Sequence, residues 1–359
     1  MTSTNSTPPQ KQGRLAGFDG LRALSALVVF VEHKVRDIGT GAIGVWIFYV
    51  LSGYLIVGIL QRSRASIEAG KATRFEALLD FWRNRALRIL PLYYAVVLTV
   101  FAFSHVLDRT ALAYYLVYLQ NFYIAWVSHG WSATSHLWSL ANEQQFYLAA
   151  APLLLLLGAR SHRATLLAIF VSCLLLCVLA SVLGWDGMAF SLLPPANFAF
   201  MALGGLLYLS PSDSRLWRVL GHPAAGIATA LTFAIVFVLT RSSYDPMAGT
   251  ALVVYLSGLA FASSLVACVV ASPTSSFVRF LETRPLRWFG SISYGFYVYH
   301  ALLPGPEKLT RRFAALAAVP PAVWIGLELA LGALLADLSW RWFEQRFLAL
   351  KRRPRPAAG

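Results

Sequence analysis

Charge is scarce in this chain, and acids are scarcer than bases. Only 13% of the 359 residues are charged, with 16 Asp and Glu against 30 Lys and Arg, for a net charge of +14. At 58% hydrophobic residues and a mean hydropathy of +0.61, the polar surface is too small for an ordinary soluble domain of this length. Cysteine is nearly missing. Cys173, Cys177 and Cys268 lie inside apolar segments at spacings that make neither a disulfide framework nor a zinc site. They read as small core residues, and no metal is expected. Neither a Walker loop nor a GxGxxG turn before a helix occurs, which excludes P-loop and Rossmann binding of phosphate. No nucleic-acid motif accompanies the positive charge, so nucleic acid is not an expected partner. Alternating strand patterns and internal repeats are absent as well. Lipid leaves only helices or closed barrels, so the apolar runs read as helices. The polar opening MTSTNSTPPQKQG lacks the pattern of a cleaved signal peptide and reads as disordered.

What the chain has in abundance is apolar runs of bilayer-crossing length. Spans are expected at about 16–36, 41–61, 88–108, 137–157, 163–183, 190–210, 222–240, 249–271, 288–303 and 320–346. A further apolar stretch, 111–127, is resolved by charge. Basic residues cluster at the N-terminus (Lys11, Arg14), in 62–88, at Arg160 and Arg163, at Arg215 and Arg218, at Arg279, Arg284 and Arg287, and in the tail. Ten crossings put all six clusters on one side, as the positive-inside rule requires; an eleventh would split them. The expected fold is an all-α integral membrane bundle of about ten transmembrane helices, with 111–127 re-entrant or interfacial and both termini cytoplasmic. Segment 62–88 reads as the longest cytoplasmic loop, with Pro91 in the first turns of the span that follows. Membrane lipid is a partner by construction.

Ionisable side chains in a bilayer are costly and face a bundle interior or a wet cavity. In FDGLRALSALVVFVEHK, residues 18–34, eleven residues separate Arg22 from His33. That spacing returns the helix to within about 20° of the same face, roughly 16 Å along the axis. A snorkelling arginine and an interfacial histidine are the bland alternatives, and Asp19 is placed to pair with Arg22. In HLWSLANEQQFYL, residues 136–148, His136, Ser139 and Glu143 share a face, and a carboxylate that deep needs a partner. It is either a structural hydrogen bond or a group that orients an imidazole base. In GSISYGFYVYH, residues 290–300, Ser293, Tyr297 and His300 line one face, as a polar packing seam would. Arg83, Arg85 and Arg88 serve as a positive-inside stop or as a phosphate site of guanidinium forks.

Five motifs in order carry a resemblance: FDGLRAL with His33 beyond it, GVWIFYVLSGYLI (44–56), FWRNRALRILPLYY (81–94), HLWSLANEQQFYL and FGSISYGFYVYH (289–300). From about residue 14 to 347 the chain resembles the acyltransferase 3 family of bacterial membrane O-acyltransferases. The resemblance implies a domain at 14–347 between a cytoplasmic N-terminus (1–13) and a basic cytoplasmic tail (348–359), in the bacterial inner membrane. It implies transfer of an acyl group, most often acetyl, from cytoplasmic acyl-CoA to a hydroxyl of a carbohydrate or glycolipid, such as an O-antigen or exopolysaccharide unit. His33 and Glu143 are then the expected catalytic pair. Arg22, Arg85 and Arg88 are the expected acyl-CoA phosphate ligands. Asp19, Ser52, Tyr94, His136, Ser293 and His300 are candidates for acceptor or oxyanion contacts. Two departures stand out: Trp46 occupies a position often acidic in the family, and Gln144 follows Glu143 where a second Glu is usual. The stand-alone form, without an appended esterase-like domain, is expected, and a homo-oligomer is left open. Two rival classes are a transporter or flippase of a polar lipid-linked substrate and a haem protein ligated by His33, His136 or His300.

Overall fold

The computed structural model describes residues 14–35, 41–104, 108–158, 161–241, 248–305 and 319–351. The expectations for residues 1–13 and for most of the basic tail lie outside the described residues. The described chain is helical and forms an all-α integral membrane protein. Each of the ten expected spans falls on a helix. In chain order these are α1 (Phe18–Lys34), α2 (Gly41–Glu68), α3 (Arg74–Phe103), α6 (Trp138–Leu156) and α7 (His162–Val182). The short α8 (Gly187–Leu192) leads into α9 (Pro194–Leu209), and α11 (Pro223–Arg241), α12 (Ala248–Ala271), α14 (Arg284–His300) and α15 (Pro321–Ser339) complete the set. Between them lie the short helices α4 (Ala111–Leu116), α5 (Gln120–Tyr123), α10 (Arg215–Leu220) and α13 (Ser276–Leu281).

Among the described residues, seven helical segments are long and apolar enough by themselves to cross a membrane. The three that fall short are α1 and α14, at 17 residues each, and α6. At 19 residues α6 has the length, but Asn142, Glu143, Gln144 and Gln145 run consecutively through it. These three helices carry most of the residues singled out from the sequence.

The expected loop at 62–88 is not a loop. α2 runs on to Glu68 and α3 starts at Arg74, so only residues 69–73 link them. Thr73 explains the early start: its hydroxyl accepts from the Glu76 N–H while the Glu76 carboxylate accepts from the Thr73 N–H, a reciprocal cap. Charge alone had suggested a loop, but a helix whose end projects past the headgroups tolerates arginines equally well. Pro91 is consequently mid-helix rather than in the first turns.

Segment 111–127 is not one helix. It is broken into α4, α5 and a π turn at Ile124–Ser128, with Tyr118 at a φ of 58° between the pieces. The carbonyls near the break are capped by side chains. Tyr93 donates to Tyr115 O at 2.8 Å, Tyr94 to Leu116 O at 2.8 Å, and Gln145 Nε2 to Tyr118 O at 2.7 Å. Irregular backbone at membrane depth survives only when its polar groups are paired inside protein, and this segment meets that condition.

α1 lies between α2 and α14 and organises the site. Its N-terminus is pinned: Gly17 N–H donates to Glu282 Oε1 at 2.7 Å, Arg14 pairs with Glu282, and Arg14 Nε lies 3.2 Å from Asp19. α14 approaches closely because residue 290 is glycine; a Cβ there would sit 2.5 Å from the Asp19 carbonyl carbon. At the far end, Lys34 Nζ donates to Leu303 O at 2.8 Å and pairs with buried Glu328 of α15 at 3.4 Å.

Candidate active site

Five helices line a cavity with about 780 Å³ of empty space, its open mouth included. α1 contributes Arg22, α2 contributes Ser52, α3 contributes Arg85 and Arg88, and α6 contributes Glu143. α14 adds Ser293 and Tyr297, and Tyr294 Oη donates to Ile89 O at 2.6 Å, tying α14 to α3 beside the cavity. Six residues expected from the sequence therefore meet here. Three guanidiniums face one carboxylate, so the lining keeps an excess of positive charge suited to an anion with several oxygens.

Glu143 is held by hydroxyls rather than by an imidazole. Ser52 Oγ donates to its Oε1 at 2.5 Å, and Tyr147 Oη donates to the same oxygen. The sequence pairing of Glu143 with His33 is thus not the arrangement found. Glu143 lies seven residues beyond His136, roughly 10 Å further along the helix, at the arginine end. Its direct partner Tyr147 follows at i+4, a neighbour on the helix surface that the sequence reading passed over. Tyr49, which donates to Ser139 O at 3.0 Å, also lines the cavity, and its one sequence signal is its three-residue spacing from Ser52.

The histidines gather at the opposite end. His33 Nδ1 lies 2.7 Å from His300 Nε2 with the rings stacked, and the His136 ring centroid is 5.3 Å from His300 and 6.4 Å from His33. His300 Nδ1 lies 2.7 Å from Tyr297 O, which can only accept. A neutral His300 therefore donates from Nδ1 and accepts at Nε2. That makes His33 Nδ1 a donor and puts the His33 lone pair on Nε2, the tautomer of a base. His136 sets Nδ1 against Ala133 O at 3.1 Å and Nε2 against Val298 O at 3.2 Å; a neutral ring can donate to one of them. His33 is exposed, whereas His136 and His300 are buried.

Tyr297 stands between the two clusters. Its hydroxyl accepts from Ser139 Oγ at 2.6 Å and donates to His136 O at 2.5 Å, while its ring is 5.6 Å from both His136 and His300. The cavity lining reaches Tyr297 and includes none of the three imidazoles. Asp19 and Tyr94 are also outside it. Asp19 pairs with Arg14, and the Tyr94 hydroxyl hydrogen is committed to Leu116 O, so both serve packing here. A haem between His33 and His300 does not fit, because nitrogens in hydrogen-bond contact leave no gap for a macrocycle. Trp46, at the position often acidic in the resembled family, stacks on Phe200 at 5.1 Å and fills the core.

Residues 15–325 match the family model described as an acyltransferase domain, that of acyltransferase 3. The chain belongs to the acyltransferase 3 family. Among curated proteins it is similar to the peptidoglycan O-acetyltransferase OatA of Listeria monocytogenes, at 30% identity over 91% of this chain and 54% of that protein. It is also similar to the O-acetyltransferase OatA of Staphylococcus aureus, at 26% identity over 92% of this chain and 56% of that protein. The chain thus spans about half the length of these acyltransferase 3 relatives. No solved structure matches it.

Proposed function

We propose that this chain is a membrane O-acyltransferase that moves an acetyl group from acetyl-CoA to a hydroxyl of a cell-envelope glycan. The observation that carries the reading is the cavity that sets Arg22, Arg85 and Arg88 around Glu143 at one end of α1, with an imidazole of base tautomer at the other end. The name of the Listeria relative favours peptidoglycan among the acceptors that the family resemblance allows, which also include O-antigen and exopolysaccharide units. In this reading the arginine end faces the cytoplasm of a bacterial inner membrane, and both termini are on that side.

The three arginines hold the phosphates of acetyl-CoA. The thioester arm passes Ser139 and Tyr297 towards His33. His33 Nε2 takes the proton of the acceptor hydroxyl as its oxygen attacks the thioester carbonyl carbon. A tetrahedral oxyanion forms, the C–S bond breaks, and the thiolate leaves with the proton returned by the imidazolium. His300 acts through His33 and is a positioning residue. Glu143 keeps Tyr147 and Ser52 oriented among the guanidiniums and offsets part of their charge.

The test is release of coenzyme A thiol from acetyl-CoA by protein in proteoliposomes, with extracted envelope glycan, for wild type and His33→Ala. Acceptor-dependent release that vanishes in a folded variant supports the reading. Release that survives the substitution removes His33 from the chemistry. No release with any acyl-CoA removes the transferase reading.

A further inference from the structure

A second cleft, with about 600 Å³ of empty space including its mouth, lies at the end of α3 remote from the arginines. Its walls are Phe101 of α3, Tyr115 of α4, Tyr123 of α5 and the segment from Ser128 to Ser135. Nothing in the acyl-donor site uses it, and three kinds of group meet there. The first is a carboxylate of fixed orientation. Asp108 accepts from Thr110 N at 2.9 Å, from Thr110 Oγ1 at 2.5 Å and from Tyr123 Oη at 2.7 Å. These bonds, the Thr110 hydroxyl foremost, hold Asp108 below its ordinary pKa, so it is anionic at neutral pH. The second is a web of hydroxyls. Ser132 Oγ is 3.0 Å from Ser135 Oγ and 3.3 Å from Thr134 Oγ1, which donates to Tyr115 Oη at 3.0 Å. The third is Trp131, 62% exposed on the lining.

An aromatic face beside a fixed carboxylate and clustered hydroxyls matches the two sides of a pyranose. The apolar C–H face lies on the ring, and the equatorial hydroxyls pair with the polar groups. A tryptophan that anchors only in the lipid headgroups needs no such carboxylate. Position adds to the chemistry. Ser135 on the cleft wall precedes His136, whose ring packs with those of His33 and His300. Resting on the acyltransfer reading above, we propose that this cleft is the acceptor subsite. It binds a neutral or amino sugar of the glycan through Trp131 and Asp108, at the imidazole end of the bundle. The donor nucleotide and the acceptor sugar then bind at opposite ends of α1, and an acidic sugar is disfavoured by Asp108.

The experiment uses the intact protein in nanodiscs without acyl donor and measures binding of an N-acetylglucosamine tetramer by saturation-transfer NMR. Wild type is compared with Asp108→Asn, an isosteric change at an exposed residue, and with Trp131→Ala. Affinity is expected to fall at least tenfold in each, while binding of coenzyme A, whose proposed site shares no lining residue with this cleft, is unchanged. A galacturonate tetramer is expected to bind more tightly to Asp108→Asn than to wild type. Equal tetramer affinity in all three proteins, or no binding to wild type, overturns the subsite. Saccharide binding that both substitutions weaken, with no acetyl transfer from acetyl-CoA, keeps the subsite and sinks the acetyltransfer reading. Transfer with an unchanged acceptor KM in both variants does the reverse.

Discussion

Alanine at residue 290 tests the contact that aligns the two ends of the site. A Cβ there would lie 2.5 Å from the Asp19 carbonyl carbon and 2.9 Å from its Cα, where ordinary contact starts near 3.4 Å. The obstacle is backbone, so α1 and α14 must part by about 1 Å. Overpacking of this kind costs about 1–3 kcal/mol. Gly295→Ala on the same helix is the control. Its Cβ would meet Glu344 Oε1 at 3.1 Å and the Ala336 Cα at 3.4 Å, which a few tenths of an ångström relieve. Both variants gain the same helix propensity, about 1 kcal/mol, so their difference isolates the contact. Thermal or denaturant unfolding in detergent should place Gly290→Ala about 1–3 kcal/mol below Gly295→Ala. Parting α1 from α14 also stretches the 2.7 Å His33–His300 bond out of range. A lost neutral hydrogen bond of about 0.5–1.5 kcal/mol lowers turnover about 2- to 13-fold. Equal stability of the two variants would refute the close approach, and equal turnover would refute its link to the imidazoles.

His300→Ala should lower kcat of acetyl transfer about tenfold or more while the KM for acetyl-CoA is unchanged, and should shift the acid limb of the pH–rate profile; unchanged kcat and profile remove its positioning role. Arg85→Gln and Arg88→Gln should each raise the KM for acetyl-CoA roughly 10- to 150-fold, the equivalent of a lost charge-assisted bond of about 1.5–3 kcal/mol. S-acetylpantetheine, which lacks the phosphates, should be turned over equally by these variants and wild type. Glu282 sits partly buried, which raises its pKa, but the Gly17 N–H, Arg14 and Arg287 outweigh burial and leave it below the ordinary 4.5. A depressed carboxylate pKa stabilises the fold above the unfolded value and stops doing so as pH falls through the folded one. Wild type should therefore unfold at higher temperature than Glu282→Gln at neutral pH, with the gap closing as pH drops below 4.5. Burial and the neighbouring Arg88 and Arg85 push Lys351 down to about 8. At pH 8 its amine should be among the first acylated by acetic anhydride, and acetyl-CoA should protect it; indifference to acetyl-CoA places it outside the donor site.

The long helices were legible because bilayer thickness leaves a mark in length and hydropathy, and charge parity set apart 111–127, which is broken into short pieces rather than one long helix. Arg22, Arg85, Arg88, Glu143, Ser52 and Ser293 were legible as costly or motif-borne polar groups, and they converge. Partner choice was not legible. Register on α1 said that Arg22 and His33 share a face, but which carboxylate or imidazole meets His33 depends on how deep α6 and α14 sit beside it. The helix ends around residues 62–88 were hidden for a related reason. Arginines signal the membrane boundary, and a helix can continue past that boundary when a cap such as Thr73 with Glu76 starts it in water. Tyr49 and Tyr147 were hidden because tyrosine in an apolar helix is common and only its partner reveals its use.

Three helices that carry much of the proposed site, α1, α6 and α14, are the expected spans that are not by themselves long and apolar enough to cross a membrane. Polar residues at the centre of a segment make its partition from translocon to lipid unfavourable. α1 emerges from the ribosome before α6, and α6 before α14. α1 packs on the more apolar α2, and α14 on the more apolar α15, neighbours that favour their retention in the membrane. If the proposed site is the working one, biogenesis and activity are coupled through the same residues: replacing Arg22 or Glu143 with leucine should ease insertion while removing a group the proposed transfer needs, so the polar composition of these helices is a burden carried at every round of synthesis.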